Sequence, residues 1–239
     1  MQVTARNGSV EFDEINPGAR INITAGDISV AKPFAVTGNV LLDALTGTVN
    51  VDSVTTTGGY IDINAIQALS VTGTLTAAPA GLQATFPAGR YDIELSSIND
   101  NVNTGNVVSA GVISVTAGND VVVNNLNAAS KLNITATGNV TLTGAVTAAG
   151  DVKILADKDI TIINATGAKL TVEGAANTLL ATTTQDSGVA TGRLILDEGS
   201  IEWHSGTMFF TLKTTVLQRL GLIRTLKPAR VHSDRLLPI

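Results

Sequence analysis

Few residues in this chain combine the types and the spacing that chemistry requires. Arg90, Asp92 and Glu94 stand at alternate positions, and in an extended strand such residues share one side. A basic side chain beside carboxylates is the minimum for cleaving an acidic polysaccharide, where carboxylates hold calcium and an Arg or Lys takes the proton. Two carboxyls across a groove suffice for glycoside hydrolysis. The plainer reading is a solvated strand whose charges discourage pairing at an edge. Asp157, Lys158 and Asp159 form a second charged run, but Lys158 and Asp159 fall at a corner before an apolar triplet, which suits a solvated turn.

Other candidates are weaker still. His204 and His232 lie far apart, and neither has a partner at ligand spacing; His204 beside Trp203 suits the end of a last coil. Gly58-Gly59 leads into Tyr60-Ile61-Asp62, and not into the Gly-Gly-x-Gly-x-Asp run of calcium-binding nonapeptides. Neither a phosphate-binding loop nor a Gly-x-Ser-x-Gly elbow is present. The absence of cysteine excludes disulfides, thiolate metal sites and a cysteine nucleophile. No catalytic, cofactor-binding or metal-ligating residue is therefore assigned, and no cofactor is expected.

The elements that would position such residues are written as a repeat. Apolar-x-apolar triplets begin at Ile113, Leu132, Val152 and Leu170, and a second series begins at Val121, Val140 and Ile160. The N-terminal third repeats the arrangement, with Ile21, Val40 and Ile61 followed by Ile28, Val49 and Leu69. Alternation marks strands with one buried side. A period of about 20 residues holding at least two strands is shorter than a βαβ unit of roughly 30, so the strands must return through corners. The pairs Gly26-Asp27, Gly38-Asn39, Gly118-Asn119, Gly138-Asn139 and Gly150-Asp151 precede triplets; glycine there is expected to supply positive φ, and the Asx side chains to bond the local backbone. The fold expected is all-β, a right-handed parallel β-helix. Nine or ten coils at about 4.8 Å each would make a rod on the order of 45 Å long.

Composition agrees. Hydrophobic residues make up 44% but aromatics only 3%, so thin layers of Val, Ile, Leu and Ala must fill the core. Two segments break the rhythm. The region near 76–106, with Pro79 and Pro87, reads as a lateral loop or imperfect turn around Tyr91–Leu95, and Thr178–Thr191 reads as a polar interruption. Residues 1–206 form the expected solenoid.

Residues 207–239 differ in kind. They hold 6 Lys and Arg against 1 Asp, whereas residues 1–206 hold 9 Lys and Arg against 19 Asp and Glu, so the net charge changes from -10 to +5. Thr211–Leu222 is predicted as a short basic amphipathic helix stopped by Pro228. Three roles fit it: a cap over the open end of the solenoid, a frameshifted or fusion-derived ending, or a contact with a membrane or partner. The acidic body disfavours nucleic acid. No run reaches the ~18 apolar residues of a membrane-spanning helix, and Met1–Val10 has Arg6 without an apolar segment after it. The expectation is either a chain with no export signal of its own or an internal piece of a longer exported one.

The run from Gly118 through Val121-Val122-Val123, and from Lys131 through Thr137-Gly138-Asn139-Val140-Thr141-Leu142-Thr143-Gly144 to Ile154, resembles the repeats of filamentous haemagglutinin-type adhesins of two-partner secretion. The resemblance is clearest over 110–175, weaker over 20–75 and absent after Gly206. It implies a shaft segment of a long bacterial fibre, exported through an outer-membrane barrel transporter, secreted or held at the cell surface, where it meets a host-cell or matrix glycan or protein receptor. That family's secretion domain carries Asn-Pro-Asn motifs; Asn16-Pro17-Gly18 departs from them, which fits shaft and not secretion domain. Pectin-lyase-like enzymes share the β-helix, so a carbohydrate-active enzyme is one alternative, requiring several acidic side chains on one outer face in consecutive coils. A cell-envelope or assembly module is another.

Overall fold

The computed structural model describes residues 1–15, 18–79, 91–149, 152–158 and 160–163, and beyond them the backbone of five strands ending at Leu212. All regular structure among the described residues is β, and every strand pairing is parallel. The chain is a parallel β-solenoid with three faces. The first face stacks ten strands: Gln2–Ala5, Ile21–Ala25, Val40–Ala44, Ile61–Ala65, Ile93–Ser97, Ile113–Ala117, Leu132–Ala136, Val152–Ala156, Thr178–Thr183 and Thr207–Leu212. The second runs through Val10–Phe12, Ile28–Val30 and Val49–Val51 to Val140–Leu142, Ile160–Ile163 and Leu194–Asp197. The third contains Phe34–Val36, Val54–Thr56, Ala145–Ala148, Lys169–Val172 and Ser200–Trp203. In the middle coils the long strands Leu69–Ala77, Val102–Ser109 and Val121–Ala128 bend round the corner and join the second and third faces into one sheet.

The register follows from the triplets. Val121 pairs with Val140 and Val140 with Ile160, and all three are buried, so like sits on like along the interior. On the first face Ile23, Leu42, Ile63, Leu95, Val115, Ile134 and Ile154 make one such column. The next inward column is Ala25, Ala44, Ala65, Ser97, Ala117, Ala136 and Ala156, small because the backbone turns there. Burying each larger aliphatic contributes about 1.5–3 kcal/mol. Parallel sheets are commonly covered on both sides; here the outer positions stay half-buried or exposed, and the strict alternation follows from that.

Several expectations are corrected. The period holds three strands, one more than the two triplet series revealed, because the stretch between the second triplet and the next first-face strand contains the third face. Leu170 pairs with Val146 on that face and does not continue the first series after Val152. Its place is taken by Leu179, in the segment read as a polar interruption. The irregularity near 76–106 is narrower than its sequence suggests: Ile93–Ser97 and Val102–Ser109 are regular members of the stack, which leaves the insertion between Ala77 and Tyr91. The ladder also extends past Gly206, since Thr207–Leu212 pairs as a strand with Thr178–Thr183. Thr211 and Leu212 are therefore not helical, and 213–222 lies outside the described residues. Among the described residues no helix is long and apolar enough to cross a membrane.

Glycine at the corners has a different cause from the one expected. Among the described glycines only Gly18 has positive φ. The corner glycines are instead positions of close approach between coils. A Cβ on Gly47 would fall on the Asp27 carboxylate, one on Gly138 would fall on Asp120, and one on Gly118 would fall on the Ile98 carbonyl.

Interior polarity is concentrated in one coil. Of the buried polar residues Thr56, Ser97, Thr104 and Ser109, the last three belong to the coil starting at Ile93. Ser97 Oγ donates to the Gln67 carbonyl at 2.6 Å and Ser109 Oγ to the Tyr91 carbonyl at 2.6 Å. Thr104 Oγ1 is buried with no hydrogen-bond partner, in a column between Val71 and Val123. An unsatisfied buried hydroxyl costs about 1–3 kcal/mol. Thr104→Val, nearly the same shape, is expected to raise stability by about 1 kcal/mol, measured as a higher urea midpoint with unchanged slope. A lower midpoint would show that the hydroxyl is satisfied.

Candidate functional site

The corner that feeds the first face shows what becomes of one candidate carboxylate. Asp92 Oδ1 accepts the Val112 N–H at 2.8 Å, from the coil stacked on it. The same bond recurs elsewhere: Asp27 Oδ1 accepts from Thr48 N–H at 2.8 Å, Asp120 from Asn139 at 2.6 Å and Asn125 from Ala145 at 2.8 Å. In each case the residue before the donor is glycine, namely Gly47, Gly111, Gly138 and Gly144. A Cβ on it would run into the accepting side chain. The Asx group therefore satisfies a backbone donor that the corner takes out of the strand ladder. Asp92 is fastening the fold.

Glu94 has no such duty. It points outward from Ile93–Ser97 and pairs in register with Asp62 on the coil before. Asp43 lies one further coil back, in the neighbouring column, opposite Asn64. Tyr60, Ile61, Asp62, Asp92 and Glu94 line a shallow open hollow of about 250 Å³. Asn64 Nδ2 donates to Asp62 Oδ1 at 2.9 Å. The Asp62 carboxyl is pushed above its ordinary value, first by partial burial, then by the charge of Glu94 and, less, by Asp43; the Asn64 hydrogen bond opposes this. Asp27 moves the other way, because the Thr48 N–H stabilises its ionised form.

Of the first sequence-level trio, then, the structure separates the roles of Asp92 and Glu94, while Arg90 lies outside the described residues. Asp62 and Asp43 were missed as partners of Glu94. The signal was available in the register, because Ile61 and Ile93 occupy the same triplet position on successive coils, although the insertion lengthens that step from about 20 to 32 residues (61 to 93). Lys158 occupies a corner, as expected, with Asp157 beside it, and their N–H groups donate to the Gly138 and Ala136 carbonyls respectively. Asp159, His204 and His232 lie outside the described residues.

Chemically, a carboxyl of raised pKa beside a second carboxylate could exchange a proton with a bound hydroxyl. Among the described residues no group of three His, Cys, Asp or Glu side chains is arranged to hold a metal ion. The ion pairs of the described residues join Lys32 to Asp13 and Glu14 and do not involve this acidic set. No family model matches the chain, and no curated protein or solved structure matches it significantly.

Two outcomes follow. A carboxyl whose folded pKa is raised makes the native state take up protons more readily than the unfolded chain. Its penalty is absent below the unfolded value near 3.8 and grows as pH rises through the folded value. Asp62→Asn is therefore expected to raise the thermal midpoint at pH 7 and leave it unchanged near pH 3; equal midpoints at both would refute the strain. Gly138→Ala is expected to lose about 1–3 kcal/mol through overpacking against Asp120, read by chemical unfolding, and Asp120→Ala in the same chain should recover part of that loss.

Proposed function

We propose that the chain is a structural solenoid segment of a secreted or surface-displayed bacterial adhesin, a rigid spacer whose outer faces offer binding surface. The observation that supports this reading is the aliphatic stack, continuous from Ile23 to Ile154 on the first face, with its outward positions given mostly to polar residues. Such a stack resists bending because each coil bonds to its neighbours along three faces. Its output is mechanical: it holds ligand-bearing surface away from the cell. In this reading the full-length protein passes an outer-membrane barrel transporter, and the receptor is a host-cell or matrix glycan or protein.

A second reading is favoured by one particular, the Asp62 and Glu94 pair in its hollow with Asp43 nearby. It is a carbohydrate-active site of the β-helix enzyme kind, in which Asp62 would act as the proton donor and Glu94 as the second carboxylate.

Display of the chain on a bacterial surface separates the two. The spacer reading expects attachment to mammalian cells or immobilised glycans above the level of the same display scaffold alone, unchanged in Asp62→Asn and Glu94→Gln variants. Absence of attachment, together with cleavage of a uronate polymer that both substitutions abolish, would replace it with the enzyme. Removal of Ile113–Lys131, one whole coil of 19 residues (113 to 131), is expected to keep cooperative unfolding and attachment, because Leu132 then takes the register of Ile113. Loss of the folded state on that deletion would refute an interchangeable stack.

A further inference from the structure

Three successive coils differ from the rest of the first face. The coil starting at Val40 carries Asp43 outward and Leu45 at the corner that follows; the next carries Asp62 and Ile66; the next carries Glu94 and Ile98. The corner residues occupy equivalent positions, since Leu45, Ile66 and Ile98 donate their N–H groups in turn to the carbonyls of Ala25, Ala44 and Ala65. Leu45 is 40% exposed and Ile98 61%, and Ile66 is half-buried. The coil before has Gly26 at this corner and the two after have Gly118 and Thr137, with neutral outward residues beside them. An aliphatic ridge thus runs parallel to the fibre axis, with an acidic stripe at its side on the same three coils. Leaving both features in water is unfavourable twice over. The ridge exposes apolar surface, and the acids stand in register on adjacent coils, where partial burial and then the charge of Glu94 disfavour the ionised form of Asp62.

A basic segment with aliphatic side chains would relieve both, and the chain contains one. Residues 213–239 hold 6 Lys and Arg against 1 Asp, with Leu217, Leu220, Ile223 and Leu226 among them. The strand Thr207–Leu212 lies on the first face, with Leu212 in register with Thr183 and hence with Ala156. The chain therefore leaves that strand at the corner where the ridge stands. Five coil steps separate it from Ile98 and seven from Leu45 on that face, about 24 and 34 Å at about 4.8 Å per step. The 27 residues from 213 to 239 span about 40 Å as a helix and about 90 Å extended, so the reach suffices.

The geometry points to an intramolecular docking surface: the ridge Leu45–Ile66–Ile98 and the acids Asp43, Asp62 and Glu94 receive the basic segment 213–239 along the side of the rod. This differs from a cap, which would cover the open end. It goes beyond the spacer reading, and under the enzyme reading the docked segment would cover Asp62 and Glu94.

The test is limited trypsin digestion of the full chain, following cleavage after Arg219, Arg224 and Arg230 against the free peptide 213–239. Cleavage in the intact chain is expected to be about tenfold slower than in the peptide, equivalent to docking by roughly 1.4 kcal/mol. The protection should be independent of protein concentration and weakened in about 1 M salt. Two double variants, Leu45→Ser with Ile98→Ser and Asp43→Asn with Glu94→Gln, should each restore the free-peptide rate while the body keeps its far-ultraviolet circular dichroism. The charge pair keeps the test open if the ridge pair misfolds. Cleavage of the native chain at the peptide rate would overturn the proposal. So would protection that survives both variants, which places the tail elsewhere, or protection lost on dilution, which assigns the contact to a second copy.

Discussion

Everything in this molecule depends on coil-over-coil register. A parallel strand can gain its hydrogen bonds only if the coil below presents an equivalent strand about 4.8 Å away. An aliphatic side chain can stay dry only if its equivalent lies above or below it. Both conditions are met by one rule, that like residues recur at each turn, and the rule explains otherwise separate features. A connection can lengthen only if the next triplet keeps its register, as Ile93 does on Ile61 after the insertion. Small Ala fills the inward position before the turn because two walls converge there. Asx side chains reach forward by one coil because the corner breaks the backbone ladder where glycine lets the coils come closest.

Much of this was readable in the residues, and the parts that were not share a cause. The triplets at Val121, Val140 and Ile160 gave both period and register, since alternation with one dry side leaves a plain trace. The third face was hidden because its inner positions are often polar or small: Val54-Thr55-Thr56 and Val107-Val108-Ser109 lack the apolar-x-apolar form. Leu170 was assigned to the wrong face for the same reason, since a triplet looks alike on any face and only pairing tells them apart. The glycines were noticed and their cause misread, because close approach between coils involves residues 18 to 20 positions apart (120 to 138, 27 to 47), beyond the range of local turn chemistry.

The acidic set shows the same limit from the functional side. Asp92 and Glu94 look equivalent as a pair at alternate positions. In three dimensions one accepts a backbone N–H from the next coil and the other faces Asp62 across a hollow. Sequence spacing gives the side of a strand but not the neighbour across a ladder, and an insertion between two coils conceals that neighbour further. Where the step length is constant, as from Ile113 to Leu132, cross-coil partners can be counted off directly.

The coil starting at Ile93 carries Ser97, Thr104 and Ser109 where its neighbours carry Ala or Val, and it directly follows the insertion. In a one-dimensional array, cohesion between layers is a nearest-neighbour quantity, so a weakened layer is not reinforced from afar. That coil is accordingly tied to its neighbours directly, by seven-residue ladders on either side of Val102–Ser109 and by the Ser97 hydroxyl on the Gln67 carbonyl one coil back.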